Sequence, residues 1–118
     1  MSAPAWTLTS RAGSQVEREH FETLEAALDA LARRVTTLVP GASREELQFL
    51  KRRIEPQRQV AARVEIAGRR GLRGTVRGGV DLRGDGSAEA FTGRVRRTVI
   101  ECRRGESAAD ALRRVLAT

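Results

Sequence analysis

The chain has few of the residues from which small proteins build covalent or metal sites. Its 118 residues include one cysteine, Cys102, and one histidine, His20. A single cysteine forms no internal disulfide, and these two residues are too few for a Cys/His zinc site. The acids next to His20, Glu17 and Glu19, fall on alternate positions of a strand, and no histidine lies near Cys102 in the sequence. We therefore predict a protein that is not an enzyme and that has no metal or other cofactor.

Long apolar segments are also missing. No apolar run approaches the roughly 20 residues of a transmembrane helix, and residues 1–14 have neither the basic nor the apolar region of a signal peptide. We therefore expect no membrane partner and a cytoplasmic location. Hydrophobic residues make up 40% of the chain and charged residues 31%, which is typical of a globular protein. The length predicts a single domain over residues 1–118.

Aromatic residues and lysine are scarce, whereas arginine is abundant. Lys51 is the only lysine among 22 basic residues, and the net charge is +7. Residues 51–104 carry fifteen basic and six acidic residues, whereas residues 1–39 carry four and five. A basic second half indicates a polyanion or an acidic protein as partner. A general bias of the composition toward arginine would produce the same excess without any binding function.

The N-terminal third predicts a β-hairpin and a helix. Apolar and polar residues alternate in "AWTLTS", residues 5–10, and in "QVEREHF", residues 15–21, on either side of the turn-like "RAGS". Apolar residues then follow at helical spacing. With Thr23 as N-cap and a Pro-Gly stop after residue 39, they predict a helix over about residues 23–39.

Residues 43–54 leave two interpretations open. Ser43 and Glu46 fit a capping box, which slightly favours a helix. The same residues followed by "EPQR" fit a strand that leads into a turn at Pro56. A second helix is clearer near the C-terminus, where Ser107 precedes apolar residues at helical spacing and predicts a helix over about residues 107–117.

The central segment predicts three strands, because apolar residues alternate in residues 60–66, 72–82 and 91–99. Asp85-Gly86 is a favoured pair for a two-residue hairpin loop. Such a loop places Val80 opposite Phe91 on one apolar face. A short loop at residues 68–70 places Ile66 opposite Leu72 in the same way.

The combined prediction is an α+β domain with an antiparallel β-sheet, made of the N-terminal hairpin plus a three-stranded meander, and with two main helices packed on one face. The order of helix, three strands and helix over about residues 23–117 is similar to the double-stranded RNA-binding domain. That family's lysine-rich start to its last helix is replaced here by "GESAADALRR", whose Glu106 and Asp110 would repel phosphate. The resemblance therefore implies a fold and not a function.

In this register, five arginines share the face of the sheet opposite the helices: Arg63, Arg73, Arg77, Arg94 and Arg96. Arg77 would lie directly opposite Arg94, which costs stability unless water or an anion lies between them. Arginine binds phosphates and carboxylates bidentately. We therefore expect a small basic binding module that recognises nucleic-acid backbone through this face. The predicted face has no aromatic ring, which favours salt-dependent backbone contacts over base stacking.

Two alternatives fit the same residues. The arginine-rich face could bind an acidic protein, or the chain could form homo-oligomers as a structural protein through this face or an edge strand. A solvated face that binds nothing is equally compatible with the sequence.

Overall fold

A computed structural model describes residues 5–41, 60–69, 74–84, 86–93 and 96–117. The strands are β1 (Trp6–Ala12), β2 (Gln15–Phe21), β3 (Val60–Arg69), β4 (Thr75–Arg83), β5 (Ala88–Thr92) and β6 (Thr98–Ile100), and the helices are α1 (Leu24–Gly41) and α2 (Ala108–Leu116). The two interpretations of residues 43–54 lie outside the described residues.

The described strands form one antiparallel sheet in the order β2-β1-β3-β4-β5-β6. This arrangement confirms the α+β class, the N-terminal hairpin and both helices. Strand β1 pairs with β3 as well as with β2, so the hairpin and the later strands share a continuous sheet. Within the described ranges, four strands lie between α1 and α2, which differs from the helix, three strands and helix order of the double-stranded RNA-binding domain.

The core lies between the two helices and one face of the sheet. Alternate residues of the inner strands, such as Leu8, Ile66 and Val80, are almost fully buried against apolar residues of α1 and α2. The same period of two that predicts the strands selects these side chains. Helix α1 contributes Leu28 and Leu31 at helical spacing. We call the other side of the sheet the open face, because neither described helix packs on it.

Local hydrogen bonds fix where the helices begin and how they are attached. The Thr23 hydroxyl accepts a bond from the backbone N–H of Ala26, and the Ser107 hydroxyl accepts one from Asp110, both at 3.1 Å. Each bond satisfies one of the free N–H groups in a first helical turn. Arg34 of α1 donates to the carboxylates of Glu17 and Glu19, which ties the edge strand β2 to the helix.

The predicted register between β3 and β4 is wrong, although the faces are correct. Ile66 lies opposite Gly78 rather than Leu72, because β3 continues to Arg69 and β4 begins only at Thr75. The shift is an even number of residues. Since side chains alternate with a period of two, each residue keeps the face on which it was predicted.

The predicted register between β4 and β5 is wrong by one residue, and this error exchanges the faces. Phe91 lies opposite Gly79, not Val80. The loop comprises the three residues 84–86 between Arg83 and Ser87, whose backbone atoms are hydrogen-bonded at 2.8 Å. Gly86, with φ +89°, occupies the last loop position. Three-residue hairpin loops commonly need a glycine at such a position. The predicted two-residue loop is wrong because it would place Phe91 opposite Val80 and not opposite Gly79.

The third predicted strand is interrupted. Strand β5 ends at Thr92, Gly93 adopts φ +96°, and the chain returns as β6 with Val99 opposite Phe91. A side chain at residue 93 would be strained at this φ and would collide with the backbone oxygen of Arg96. The apolar alternation continues across this turn, which is why the sequence resembles one long strand.

Candidate functional site

The open face of the sheet is rich in charge. Its described arginines are Arg11, Arg18, Arg63, Arg69, Arg77, Arg83 and Arg97, and its described carboxylates are Glu65, Asp81 and Glu89. On β1, β3, β4 and β5 these residues alternate with buried residues of the same strands. Arg18 lies on the exposed edge strand β2, and Arg97 immediately precedes β6. The alternation that builds the core therefore also brings the arginines onto one surface.

The five arginines predicted to form this site have different positions. Arg63 on β3 and Arg77 on β4 lie on the open face, as predicted. Arg96 lies exposed in the turn between β5 and β6 and is not a strand residue. Arg73 and Arg94 lie outside the described residues. The backbone oxygen of Arg77 accepts a hydrogen bond from the N–H of Gly93 at 2.9 Å, so Arg77 pairs with Gly93 and the predicted pairing with Arg94 is wrong.

Arg63 is engaged in ion pairs at the centre of this face. Its Nε and Nη2 atoms donate to the two carboxylate oxygens of Asp81, the second at 3.2 Å, and Nε also lies 3.7 Å from Glu65. Only 10% of the Asp81 side chain is exposed. A nearly buried carboxylate requires such a partner, so Arg63 has a structural task. Arg83 is similarly paired with Glu89 at 2.7 Å.

Four arginines of the open face have no carboxylate partner among the described residues: Arg11, Arg18, Arg69 and Arg77. They form two diagonal pairs across neighbouring strands. Arg18 lies opposite Thr9 and Arg11 opposite Val16, while Arg69 lies opposite Thr75 and Arg77 opposite Ala67. Cα atoms of diagonal neighbours are about 7–8 Å apart. Each pair therefore concentrates two positive charges where a single anion can contact both.

Sequence reasoning missed three of these four residues. The alternation in β2 already puts Arg18 on one face with Val16 and His20. Assigning that face to the arginine-rich surface requires the pairing between β1 and β3, which no local pattern reveals. Arg69 was missed because β3 extends further than its apolar alternation suggests.

The position of Phe91 differs most from the prediction for this site. It lies on the open face rather than in the core beneath the helices, yet it is only 3% exposed. Its Cζ atom lies 2.9 Å from the position that a Cβ at residue 79 would take, so the ring packs against the backbone at Gly79. The guanidinium carbons of Arg97 and Arg63 lie over the ring, at 4.8 and 5.5 Å from its centroid. Both distances are within cation–π range.

His20 and Cys102 take no part in the described ion pairs of the open face. Nδ1 of His20 lies 3.2 Å from the Thr7 hydroxyl, and Cys102 is free and exposed. The part of the chain that the structure describes contains no group of three His, Cys, Asp or Glu residues that could hold a metal ion. Within the same residues, neither helix is long and apolar enough to cross a bilayer.

The pKa of the Glu106 carboxyl group is strongly altered. The pKa of Glu106 is lowered from its ordinary 4.5 to about 2, chiefly because Arg114 donates hydrogen bonds to it and secondly because the backbone N–H of Arg103 does so. Glu106 precedes α2, and Arg114 lies within it. This ion pair therefore ties the start of α2 to its own last turn rather than contributing to the open face.

Comparisons with known proteins add no further assignment. No family model, curated protein or solved structure matches this chain.

Proposed function

We propose that this protein is a non-enzymatic module that binds the phosphodiester backbone of nucleic acid through the open face of its sheet. The observation that carries the proposal is the set of four arginines, Arg11, Arg18, Arg69 and Arg77, that lack a carboxylate partner among the described residues. Strands fix the backbone of these residues, so the binding of an anion orders only their side chains. We also propose that the protein acts in the cytoplasm.

The geometry of the two arginine pairs suits repeated anions better than a single one. One pair involves β1 and β2, and the other involves β3 and β4 near the opposite end of the strands. Arg63 and its partner Asp81 lie level with Arg11, at the end of β3 away from Arg69. A polymer of phosphates can reach both pairs at once, which a small anion cannot do. Binding to the backbone alone carries no sequence information, so we expect weak sequence preference.

Titration of labelled single-stranded and duplex oligonucleotides, followed by fluorescence anisotropy, tests this proposal. Four phosphate contacts give a slope of log K against log salt of about −3 for single strands and about −4 for duplex. Affinity then falls about 100-fold between about 50 and about 200 mM salt. Absence of binding at low salt would contradict the proposal.

A matched pair of variants locates the contacts. Arg77→Ala removes a charge from the open face, and Arg33→Ala removes one from an exposed position on α1. We expect Arg77→Ala to reduce the salt slope by about 1 and Arg33→Ala to leave it unchanged. Equal effects of the two variants would show that only net charge matters and would rule out the open face as the site.

A protein partner is the second candidate, because two apolar side chains of the open face are unusually exposed. Val16 is 43% exposed and Val99 is 52% exposed. Both lie on edge strands, near charged neighbours. Self-association through those edges is less favourable. In an antiparallel pair of β2 strands centred on Arg18, this arginine faces its copy and Glu17 faces Glu19, whereas β6 has only three residues.

Light scattering over a range of protein concentrations distinguishes these outcomes. The proposal expects a monomer, and the nucleic acid titration expects saturable binding to that monomer. A stable dimer whose formation is insensitive to salt would favour the protein-interaction alternative, because burial of Val16 or Val99 is not screened by ions.

A further inference from the structure

Phe91 is buried in an unusual way. Neither described helix packs on the open face, and the described groups that lie over its ring there are arginine side chains. Gly79 lies beneath the ring, and the guanidinium groups of Arg97 and Arg63 lie over it. Moving one of these arginines away from the ring would expose part of an aromatic surface on the open face, next to the edge strand β6.

The two covering arginines are held very differently. Arg63 has a bidentate ion pair with Asp81, and 23% of its side chain is exposed. Arg97 has one carboxylate contact among the described residues, 3.9 Å from Glu65, and 36% of its side chain is exposed. A distance of 3.9 Å is too long for a hydrogen bond. Arg97 is therefore the cover that can leave at small energetic cost.

The surface beside Phe91 is also apolar and accessible. Val99 lies directly opposite Phe91 on β6 and is 52% exposed. When Arg97 moves away, the ring and Val99 form one continuous apolar patch. The phosphate groups of a bound strand provide a reason for Arg97 to move, because a charge-assisted hydrogen bond to phosphate is stronger than its present contact with Glu65.

We propose that Phe91 is a base-stacking position for single-stranded nucleic acid, covered by Arg97 until a phosphate draws that arginine aside. This inference rests on the proposed function and adds its ligand class. The bases of a duplex are stacked on one another and cannot reach the ring, whereas an unpaired base can. Stacking on a ring accepts any base, which agrees with contacts that carry no sequence information.

The decisive experiment uses the unaltered protein and two probes. One is a fluorescein-labelled single-stranded oligonucleotide, and the other is the same strand with abasic nucleotides in its central positions. Both present the same phosphates. We expect the abasic strand to bind about 10-fold more weakly at one salt concentration, with the same salt slope. Equal affinity for the two strands, with a normal salt slope, would overturn the stacking inference while leaving the proposed function intact. Absence of binding to both would overturn the two together.

Variants at the ring and its cover supply an independent readout. Phe91→Leu should lower affinity for the intact strand about 10-fold and leave affinity for the abasic strand unchanged. Arg97→Ala should reduce the salt slope by about 0.7 because one phosphate contact is lost, while the ratio between intact and abasic strands stays at least as large. Arg96→Ala, at the exposed neighbouring residue, is the control and should leave that ratio unaltered. A ratio that Phe91→Leu does not reduce would contradict the inference, and circular dichroism verifies that each variant is folded.

Discussion

Two aromatic residues pack on glycines from opposite sides of the same sheet. Trp6 lies opposite Gly68 on the face that the helices cover, and Phe91 lies opposite Gly79 on the open face. A Cβ at either glycine would collide with the ring, and the two aromatic residues are similarly buried, at 4% and 3% exposure. The two rings differ in the kind of side chain that covers them. Trp6 belongs to a cluster of apolar side chains, whereas Phe91 is shielded by the charged side chains of Arg63 and Arg97.

This difference shows that burial alone does not identify a core residue. A rigid apolar cluster cannot move without losing its own packing. Arginine side chains cover apolar surface with their methylene stems and ring faces with their guanidinium groups, and they exchange these contacts for water or an anion. The side chains around Trp6 therefore stabilise the fold, whereas the arginine contacts over Phe91 are ones that a ligand can replace.

The largest expected effect is the loss of the ring from the covered face. Trp6→Ala should lower the free energy of unfolding by about 4 kcal/mol, because the packed cluster around it cannot collapse into the space. Urea unfolding followed by far-ultraviolet circular dichroism measures this change. A loss of less than about 1.5 kcal/mol would mean that the covered face repacks freely and would remove the distinction between the two faces.

The equivalent change on the open face should cost less. Phe91→Ala should lower the free energy of unfolding by about 2 kcal/mol, because the side chains of Arg63 and Arg97 can settle over Gly79 when the ring is absent. The same urea experiment reports it. If Phe91→Ala proved as costly as Trp6→Ala, the arginines would have to be treated as fixed parts of a second core.

Unequal roles of the two covering arginines can be measured directly. Arg63→Ala should cost about 1.5 kcal/mol, because the nearly buried carboxylate of Asp81 loses its partner. Arg97→Ala is the matched control and should cost only about 0.5 kcal/mol, the value of an exposed cation–π contact. Comparable losses in the two variants would contradict the view that Arg97 alone is free to move.

The smallest expected effect is the contribution of the Glu106–Arg114 ion pair to stability, because this pair anchors the start of α2, one of the helices that cover the core. The ion pair of Glu106 with Arg114 stabilises the start of α2 while Glu106 is charged. Because the pKa is lowered from 4.5 to about 2 in the folded protein, this contribution is complete above pH 4.5 and is lost as the pH falls toward 2. The difference in stability between the wild type and Glu106→Gln should therefore be constant from about pH 5 to about pH 7 and shrink at lower pH. A difference that persists near pH 2 would assign the effect to something other than this charge.

Local signals in the sequence were sufficient for the helices and the hairpin. Thr23 and Ser107 accept the capping hydrogen bonds expected of them, and the alternation in β1 separates its buried residues from the more exposed ones. The pairing of β1 with β3 was beyond such reasoning, because it joins residues from distant parts of the chain. Only the hydrophobic pattern and the turns specify register, and neither specifies a partner so far away.

The face on which a site residue lies was predicted correctly wherever the predicted register was displaced by an even number of residues. The β3–β4 register was displaced by an even number of residues, so Arg63 and Arg77 stayed on the predicted face. The β4–β5 loop is one residue longer than predicted, which moved Phe91 to the opposite face and supplied the aromatic ring that the predicted site lacked. Loop lengths of two and three residues are both compatible with an Asp-Gly pair, so sequence alone could not decide.

The pairing of β1 with β3 has a consequence for how the chain reaches this structure. Leu8 finds its partner Ile66 only after α1 and the following segment have been synthesised. Antiparallel contacts between such distant residues form slowly, because a long loop must close before any contact is gained. We therefore expect Trp6 and Leu8 to remain in contact with water during synthesis until β3 has emerged. A fragment that ends at residue 41 lacks the strand that completes its core, and we expect it to remain unfolded in solution.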